Sequence, residues 1–218
     1  MLIEEAAWFA HQLGAFAQSE VFPMCNIGSS TKSFRTHDQP WIDELLFAPL
    51  SRGGRIVKHL DMKPDPGVDI VGDLANREFL NRVSKMQFKS VFCSNLLEHV
   101  VTRSAICRTL LSIIPSDGFL FISVPFSFPY HPDPIDTGFR PNVEELAALF
   151  PGTRLIHSAV VVGDTFLKLR SRNCMTFALT LFRCLFPFYK PVGWWRNRGY
   201  LPWFFRRVSA TCVVLRKD

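Results

Sequence analysis

Two apolar runs in the middle of the chain, FKSVFCSN and FLFISVPF, are each followed by polar residues able to do chemistry. Asn95, Glu98 and His99 come after the first; Tyr130, His131, Asp133, Asp136 and Arg140 come after the second. Imidazole exchanges a proton near neutral pH, so His131 is a candidate general base toward a hydroxyl or amine. Asp136 would orient that imidazole or accept from hydroxyls of a bound molecule. Arg140, with Tyr130 beside it, would hold an anionic or sugar-like group. The same residues have a second, structural use, which is to tie a proline-rich loop to backbone carbonyls. His99, at the start of a post-strand helix, suits a structural hydrogen bond better than catalysis. His131, Asp133 and Asp136 are also metal-ligand types, but Pro132 and Pro134 hold the segment extended and the sequence offers no further ligand cluster. No metal is expected.

Earlier in the chain, Asn26-Ile27-Gly28-Ser29-Ser30 closes the apolar run VFPMCNIG. A glycine after a strand lets backbone amides approach a ligand closely, although a single one is commonplace. A serine at position 30 fits such a turn provided the backbone stays at negative φ. Asp61 ends the alternating run RIVKHLDMK, and Asp73 follows the short run around VDIV. Acids at successive strand ends suit a nucleoside-containing ligand, one at ribose hydroxyls and one at an adenine amino group. Each acid alone is an ordinary solvated strand terminus.

These residues need a scaffold that brings strand ends together. Strand-like runs at 21–28, 55–63, 88–95 and 119–126 alternate with helix-like stretches such as NREFLNRVSKMQ and TRSAICRTLLSII, whose apolar positions recur at helical spacing. SSTKSFRTHDQP reads as a polar loop and WIDELLFAPL as a short helix. Asn142 followed by Glu145 is a capping box that starts a helix, RLIHSAVVVG is a further strand and VSATCVVLRK the last. The alternation predicts an α/β, doubly wound, mostly parallel sheet of seven strands. In such a sheet ligands bind outside the carboxyl ends of the strands, where all of the residues above fall.

With these pieces placed, the sequence resembles the class I S-adenosylmethionine-dependent methyltransferases, of the small type, over about residues 15–165 plus the closing strand. The resemblance rests on Asp61, on Gly72-Asp73-Leu74, on CSNLLEHV at 93–100 and on PSDGFLFISVPF, with Asp117 in place of one glycine. At the four places of the acid and the three glycines of the first loop stand Asn26, Gly28, Ser30 and Lys32. The resemblance implies S-adenosylmethionine as cofactor, with Asn26, Gly28, Ser29, Ser30, Asp61, Met62, Asp73, Leu74, Ser94, Asn95 and His99 lining its site. It implies methyl transfer to an oxygen or nitrogen of a small-molecule or glycan-type acceptor, with His131 and Asp136 catalytic. The departures at positions 26, 30 and 32 keep a second class open, a catalytically inactive methyltransferase-like binding or scaffold protein.

The charge is unevenly distributed. Residues 1–164 carry 14 Lys/Arg against 18 Asp/Glu, whereas residues 165–218 carry 11 against one. This divides the chain into a core at 1–164, a basic aromatic helical insertion at 165–206 and a closing strand at 207–218. The insertion interleaves Phe, Tyr and Trp with Lys/Arg. Its longest apolar run, CMTFALTLFRCLFPFY, is too short and interrupted to span a bilayer. Such a composition suits an anionic membrane surface and a lipid-linked acceptor, with nucleic acid as the weaker alternative. A lid, or packing against the core or a second copy in a homodimer, would use the same residues. The amino terminus lacks the basic region of a signal peptide. The six cysteines (Cys25, Cys93, Cys107, Cys174, Cys184, Cys212) show no CxxC or zinc spacing. Free thiols in a cytoplasmic protein, peripheral to a membrane through 165–206, are the expectation.

Overall fold

The computed structural model describes residues 1–131, 135–171 and 202–218, together with isolated positions 175, 178, 179 and 182 between the last two segments. Its seven strands are β1 (Met24–Ile27), β2 (Val57–Asp61), β3 (Ile70–Val71), β4 (Ser90–Ser94), β5 (Phe119–Ser127), β6 (Thr153–Thr165) and β7 (Arg207–Lys217). They form one sheet in the order β3-β2-β1-β4-β5-β7-β6. β7 runs antiparallel between β5 and β6, and the other pairings are parallel. The expected α/β class and strand number are therefore found.

Side-chain alternation along the strands divides the core into two layers. Cys25, Ile27, Val91, Cys93, Leu120 and Ile122 face α4 (Arg77–Ser84), α5 (Arg103–Ile113) and α6 (Val143–Ala147). Met24, Phe92, Phe121 and Val214 face α1 (Ile3–Gly14) and the segment from Phe34 to α3 (Ala48–Arg52). Phe9 of α1 packs its ring 4.9 Å from that of Phe92 and 6.5 Å from that of Phe121. All three rings are fully buried, each contributing about 2–3 kcal/mol. A short helix, α2 (Gln18–Val21), precedes β1, and α7 (Phe166–Ser171) follows β6.

The helix starts follow local chemistry. Asn76 Oδ1 accepts from the Phe79 amide at 3.1 Å, and Asn142 and Glu145 exchange bonds of 2.8 and 2.9 Å as the capping-box reading expects. Gly72 is required by packing, because a Cβ there would lie 2.3 Å from the Phe79 ring.

Three expectations need correction. SSTKSFRTHDQP is not all loop: Phe34–Asp38 forms a π-helical turn, and a second one, Asp43–Phe47, runs into α3. The third strand stops at Val71, so Asp73 lies in the following turn, where Oδ1 accepts from the Ala75 amide at 2.8 Å. Ser30 does not keep a negative φ; it adopts +53°. Cys25, Cys93, Cys107 and Cys212 are free and buried. Cys174, Cys184 and the aromatic stretch 172–201 apart from its isolated positions lie outside the described residues, as does Asp133. Among the described residues no helix is long and apolar enough to cross a membrane.

Candidate functional site

The strand order reverses its direction of growth between β1 and β4. That switch point opens a crevice at the carboxyl ends of the two strands. On the β1 side, Gly28 has φ +68°, and a Cβ there would lie 3.2 Å from Leu96, which comes from the loop after β4. Ser30, standing where the resemblance expects a glycine, is also left-handed. This conformation costs a non-glycine residue about 1–2 kcal/mol and must be held by its surroundings.

The holder is Arg35, 4 % exposed, which sequence reading placed in a polar loop. Its Nη1 donates to the Ser29 and Ser30 carbonyls at 2.8 and 2.7 Å, and its Nη2 donates to the Gly67 carbonyl at 2.7 Å. With the carbonyls turned toward Arg35, the Ser30 amide faces the other way and donates to Asp61 Oδ2 at 2.8 Å. Ser29 Oγ adds a bond of 3.1 Å to the Ser30 carbonyl. Lys32 is exposed. Its amide donates to Pro66 at 3.0 Å, and its Cβ lies so close to Gly67 that a side chain there would clash. Two left-handed residues and a strand-end carboxylate are thus kept with only one glycine. Asp117, the other glycine replacement, is left-handed as well, at φ +66°.

The remaining residues assigned to the cofactor divide into two groups. Asp61 Oδ1 accepts from the Lys63 amide at 3.1 Å, and each carboxylate oxygen keeps a second lone pair for a ligand hydroxyl. Met62 and Asp73 are exposed beside it. Leu74, in contrast, is a core residue among Ile70 and Phe79. Asn26 is buried, its amide 3.0 Å from His59 Nδ1 on β2. Burial, with the nearby Arg35 charge, lowers the His59 pKa to about 4, so this ring is neutral and accepts from Asn26.

On the β4 side, Asn95 (φ +51°) turns the chain and donates its backbone amide to the Ser123 carbonyl at 2.9 Å. Ser94 Oγ, Asn95 Nδ2 and Ser123 Oγ all donate to Glu5 Oε1, at 2.9, 3.0 and 2.5 Å, while Glu5 Oε2 accepts from the Leu2 amide at 2.9 Å. Sequence reading gave Glu5 no role. The available signal was an acid within the otherwise apolar stripe of Leu2, Ala6, Phe9 and Leu13.

The two post-strand segments are sewn together. The Thr137 amide and hydroxyl both donate to the Glu98 carbonyl at 2.9 Å, and His99 Nδ1 donates to the Ile135 carbonyl. His131 and His99 lie edge to face with ring centroids 5.3 Å apart. His131 Nδ1 is 3.2 Å from both the Pro129 carbonyl and Asp136 Oδ2. Facing two acceptors, this nitrogen carries the hydrogen. Burial lowers the His131 pKa, against the pull of the Pro129 carbonyl and Asp136, which keeps the ring neutral. Asp136 Oδ2 thus lies against the protonated nitrogen of His131. Burial by itself would raise the Asp136 carboxyl, but Arg140 at 2.7 and 3.1 Å and the His131 and Gly138 amides hold it well below the usual carboxylate range. Arg140 also donates to the Phe128 and Phe139 carbonyls, the structural use of tying down this loop. Tyr130 is exposed.

Glu98 is the anomaly. Its side chain is fully buried, and neither carboxylate oxygen has a hydrogen-bond partner. Burial pushes its pKa up to about 7.

No protein-family model and no curated protein matches the chain. Solved structures do. Coclaurine N-methyltransferase bound to N-methylheliamine and SAH superposes with a TM-score of 0.56 at 13 % identity, covering 89 % of this chain and 65 % of that one. YjhP from E. coli gives 0.54 at 10 % identity, with 99 % and 92 % covered. The O-MT segment of StiE, residues 942–1257, gives 0.51 at 10 % identity, with 96 % and 72 % covered. At such identities the likeness is one of fold. The chain has the fold of the class I S-adenosylmethionine-dependent methyltransferases.

Proposed function

We propose that the protein is an S-adenosylmethionine-dependent methyltransferase acting on an oxygen or nitrogen of a small-molecule or glycan-type acceptor. The observation that carries this reading is the β1 loop: left-handed Gly28 and Ser30 (φ +68° and +53°) beside the Asp61 carboxylate, at the switch point of the sheet. Arg35 and Asp61 hold Ser30 in place, so the residues present fit the cofactor although two of the expected glycines are gone.

Asp61 would bind the ribose hydroxyls through its spare lone pairs, with Gly28–Ser30 close to the cofactor backbone and Met62 and Asp73 at the adenine end. When bound, S-adenosylmethionine supplies an electrophilic methyl group on a sulfonium. The work of the chain is then to position an acceptor and take its proton, and positioning alone supplies a large part of the rate. His131 suits the proton step, being neutral, half-buried and fixed in one tautomer by Pro129 and Asp136. Arg140 acts through Asp136, as a positioning residue. N- and O-methyltransferases among the structural neighbours support either acceptor atom.

Transfer of a radiolabelled methyl group to a panel of hydroxyl, amine and sugar acceptors tests the proposal. His131→Ala is expected to lower kcat with SAH affinity unchanged; loss of SAH affinity with an unaltered rate would refute the assignment. The lipid-linked form of the acceptor rests on the composition of 165–206, and failure of the protein to pellet with anionic liposomes at low salt would remove it. The inactive binding or scaffold alternative would show SAH binding without transfer to any acceptor.

A further inference from the structure

We propose that Glu98, His99 and His131 form a binding site for one divalent transition-metal ion of the zinc, cobalt or manganese kind, at the acceptor end of the crevice. A carboxylate oxygen of Glu98 and one ring nitrogen from each histidine lie within 4.8 Å of one another. Ligands on a shell of about 2.1 Å sit about 3.4 Å apart in a tetrahedron, so small side-chain rotations close the set.

The chemistry of the donors favours a cation over an accident of packing. His99 Nδ1 faces the Ile135 carbonyl, and His131 Nδ1 faces the Pro129 carbonyl and Asp136. Each ring therefore carries its hydrogen on Nδ1 and leaves Nε2 with a bare lone pair. His99 Nε2 stands 3.7 Å from Glu98 Oε1, too far for a hydrogen bond, and Glu98 has no donor at either oxygen although it is fully buried. When Glu98 is ionised, its carboxylate and one nitrogen of each ring converge with no donor directed at Glu98. A buried carboxylate left without donors is costly, and a dication satisfies all three at once. The Nδ1 contacts to carbonyls and a carboxylate are the outer-shell bonds that orient metal-binding imidazoles. Two imidazoles and one carboxylate suit borderline dications over calcium.

Three protein ligands leave coordination positions for water or for an acceptor oxygen, whose pKa the ion would lower. That use rests on the methyltransferase reading, and with the ion bound it would replace His131 as proton acceptor, whose Nε2 lone pair would be on the metal; the site itself does not rest on that reading. It also differs from the His131, Asp133 and Asp136 set suggested by sequence spacing, because Asp136 is held by Arg140.

The test uses the full chain, stripped with chelator and titrated with Co²⁺ and Zn²⁺, read by the Co²⁺ d–d absorption and by competition with a chromophoric chelator. One equivalent is expected to bind, with His99→Ala and His131→Ala each weakening it about 100-fold or more. Both rings are partly exposed, so these variants are expected to fold, and circular dichroism checks that. Glu98→Gln is expected to weaken binding likewise, and His157→Ala to leave it unchanged. No stoichiometric binding to the wild-type protein, or binding that survives His99→Ala and His131→Ala, would overturn the site. SAH affinity measured on the same samples separates failure of the metal site from failure of the cofactor reading.

Discussion

Replacing Arg35 with methionine keeps most of its aliphatic bulk and removes the three bonds that shape the β1 loop. The consequences differ among the three carbonyls. Ser30 retains the Ser29 hydroxyl as a donor, and Gly67 is exposed, so its carbonyl rehydrates. Ser29 is 6 % exposed, and Arg35 is the donor its carbonyl has. Hydrogen bonds to a charged donor contribute about 1.5–3 kcal/mol each and an orphaned buried carbonyl costs about 1–3 kcal/mol. Relief of the guanidinium's own desolvation offsets part of this, since burial is what lowers the Arg35 pKa. A net loss of about 2–4 kcal/mol follows, read as a lower midpoint in urea with an unchanged slope. Ser30 would then relax from its left-handed conformation, and SAH affinity should fall about 10-fold, the equivalent of 1.4 kcal/mol. Ser30→Gly in the same background should restore about 1 kcal/mol, because glycine takes positive φ without strain. An Arg35→Met protein within about 0.5 kcal/mol of wild type, with SAH affinity intact, would show that the loop does not depend on this clamp.

Two further outcomes follow from buried polar groups. Glu5→Ala leaves the buried Leu2 amide without its acceptor and removes the shared acceptor of three donors from β4, its following turn and β5, while Asn95 Nδ2 and the Ser123 hydroxyl can still pair with Ser94 Oγ. It should cost about 3–5 kcal/mol by urea unfolding, and a loss below about 1 kcal/mol would contradict the network. His59 has its pKa lowered to about 4 in the folded state by burial. The neutral ring therefore contributes stability that is fully present above the unfolded value near 6.5 and is lost as pH falls toward 4. That loss should reach about 2–3 kcal/mol in wild type and be absent in His59→Gln; parallel pH profiles for the two proteins would rule it out.

How much of this was legible in the sequence depended on whether the signal was local. Strands such as FLFISVPF, the Asn142–Glu145 cap and the apolar face of α4 are written in consecutive residues, so the doubly wound sheet and the strand-end position of Asp61 could be read directly. Arg35 could not. It stands in a largely polar run, and its burial depends on the folded β1 loop and on the approach of Gly67, 32 positions later. Glu5 has the same character, since, apart from the Leu2 amide, its donors come from the end of β4, the turn after it and β5, about ninety or more positions away. The positive φ of Ser30 and Asp117 is imposed by contacts of the fold, against the preference of the residues themselves. At Asn26, a motif position, the side chain is engaged by His59 of the neighbouring strand, a partner 33 positions away that no local pattern announces.

The central claim is that the β1 loop and Asp61 still bind the cofactor, and calorimetric titration of the purified chain with SAH tests it most directly. Saturable one-to-one binding, weakened about 10–100-fold in Asp61→Ala by loss of charge-assisted bonds, is the predicted result. No heat of binding at millimolar SAH, or an Asp61→Ala protein that binds as wild type does, would contradict it.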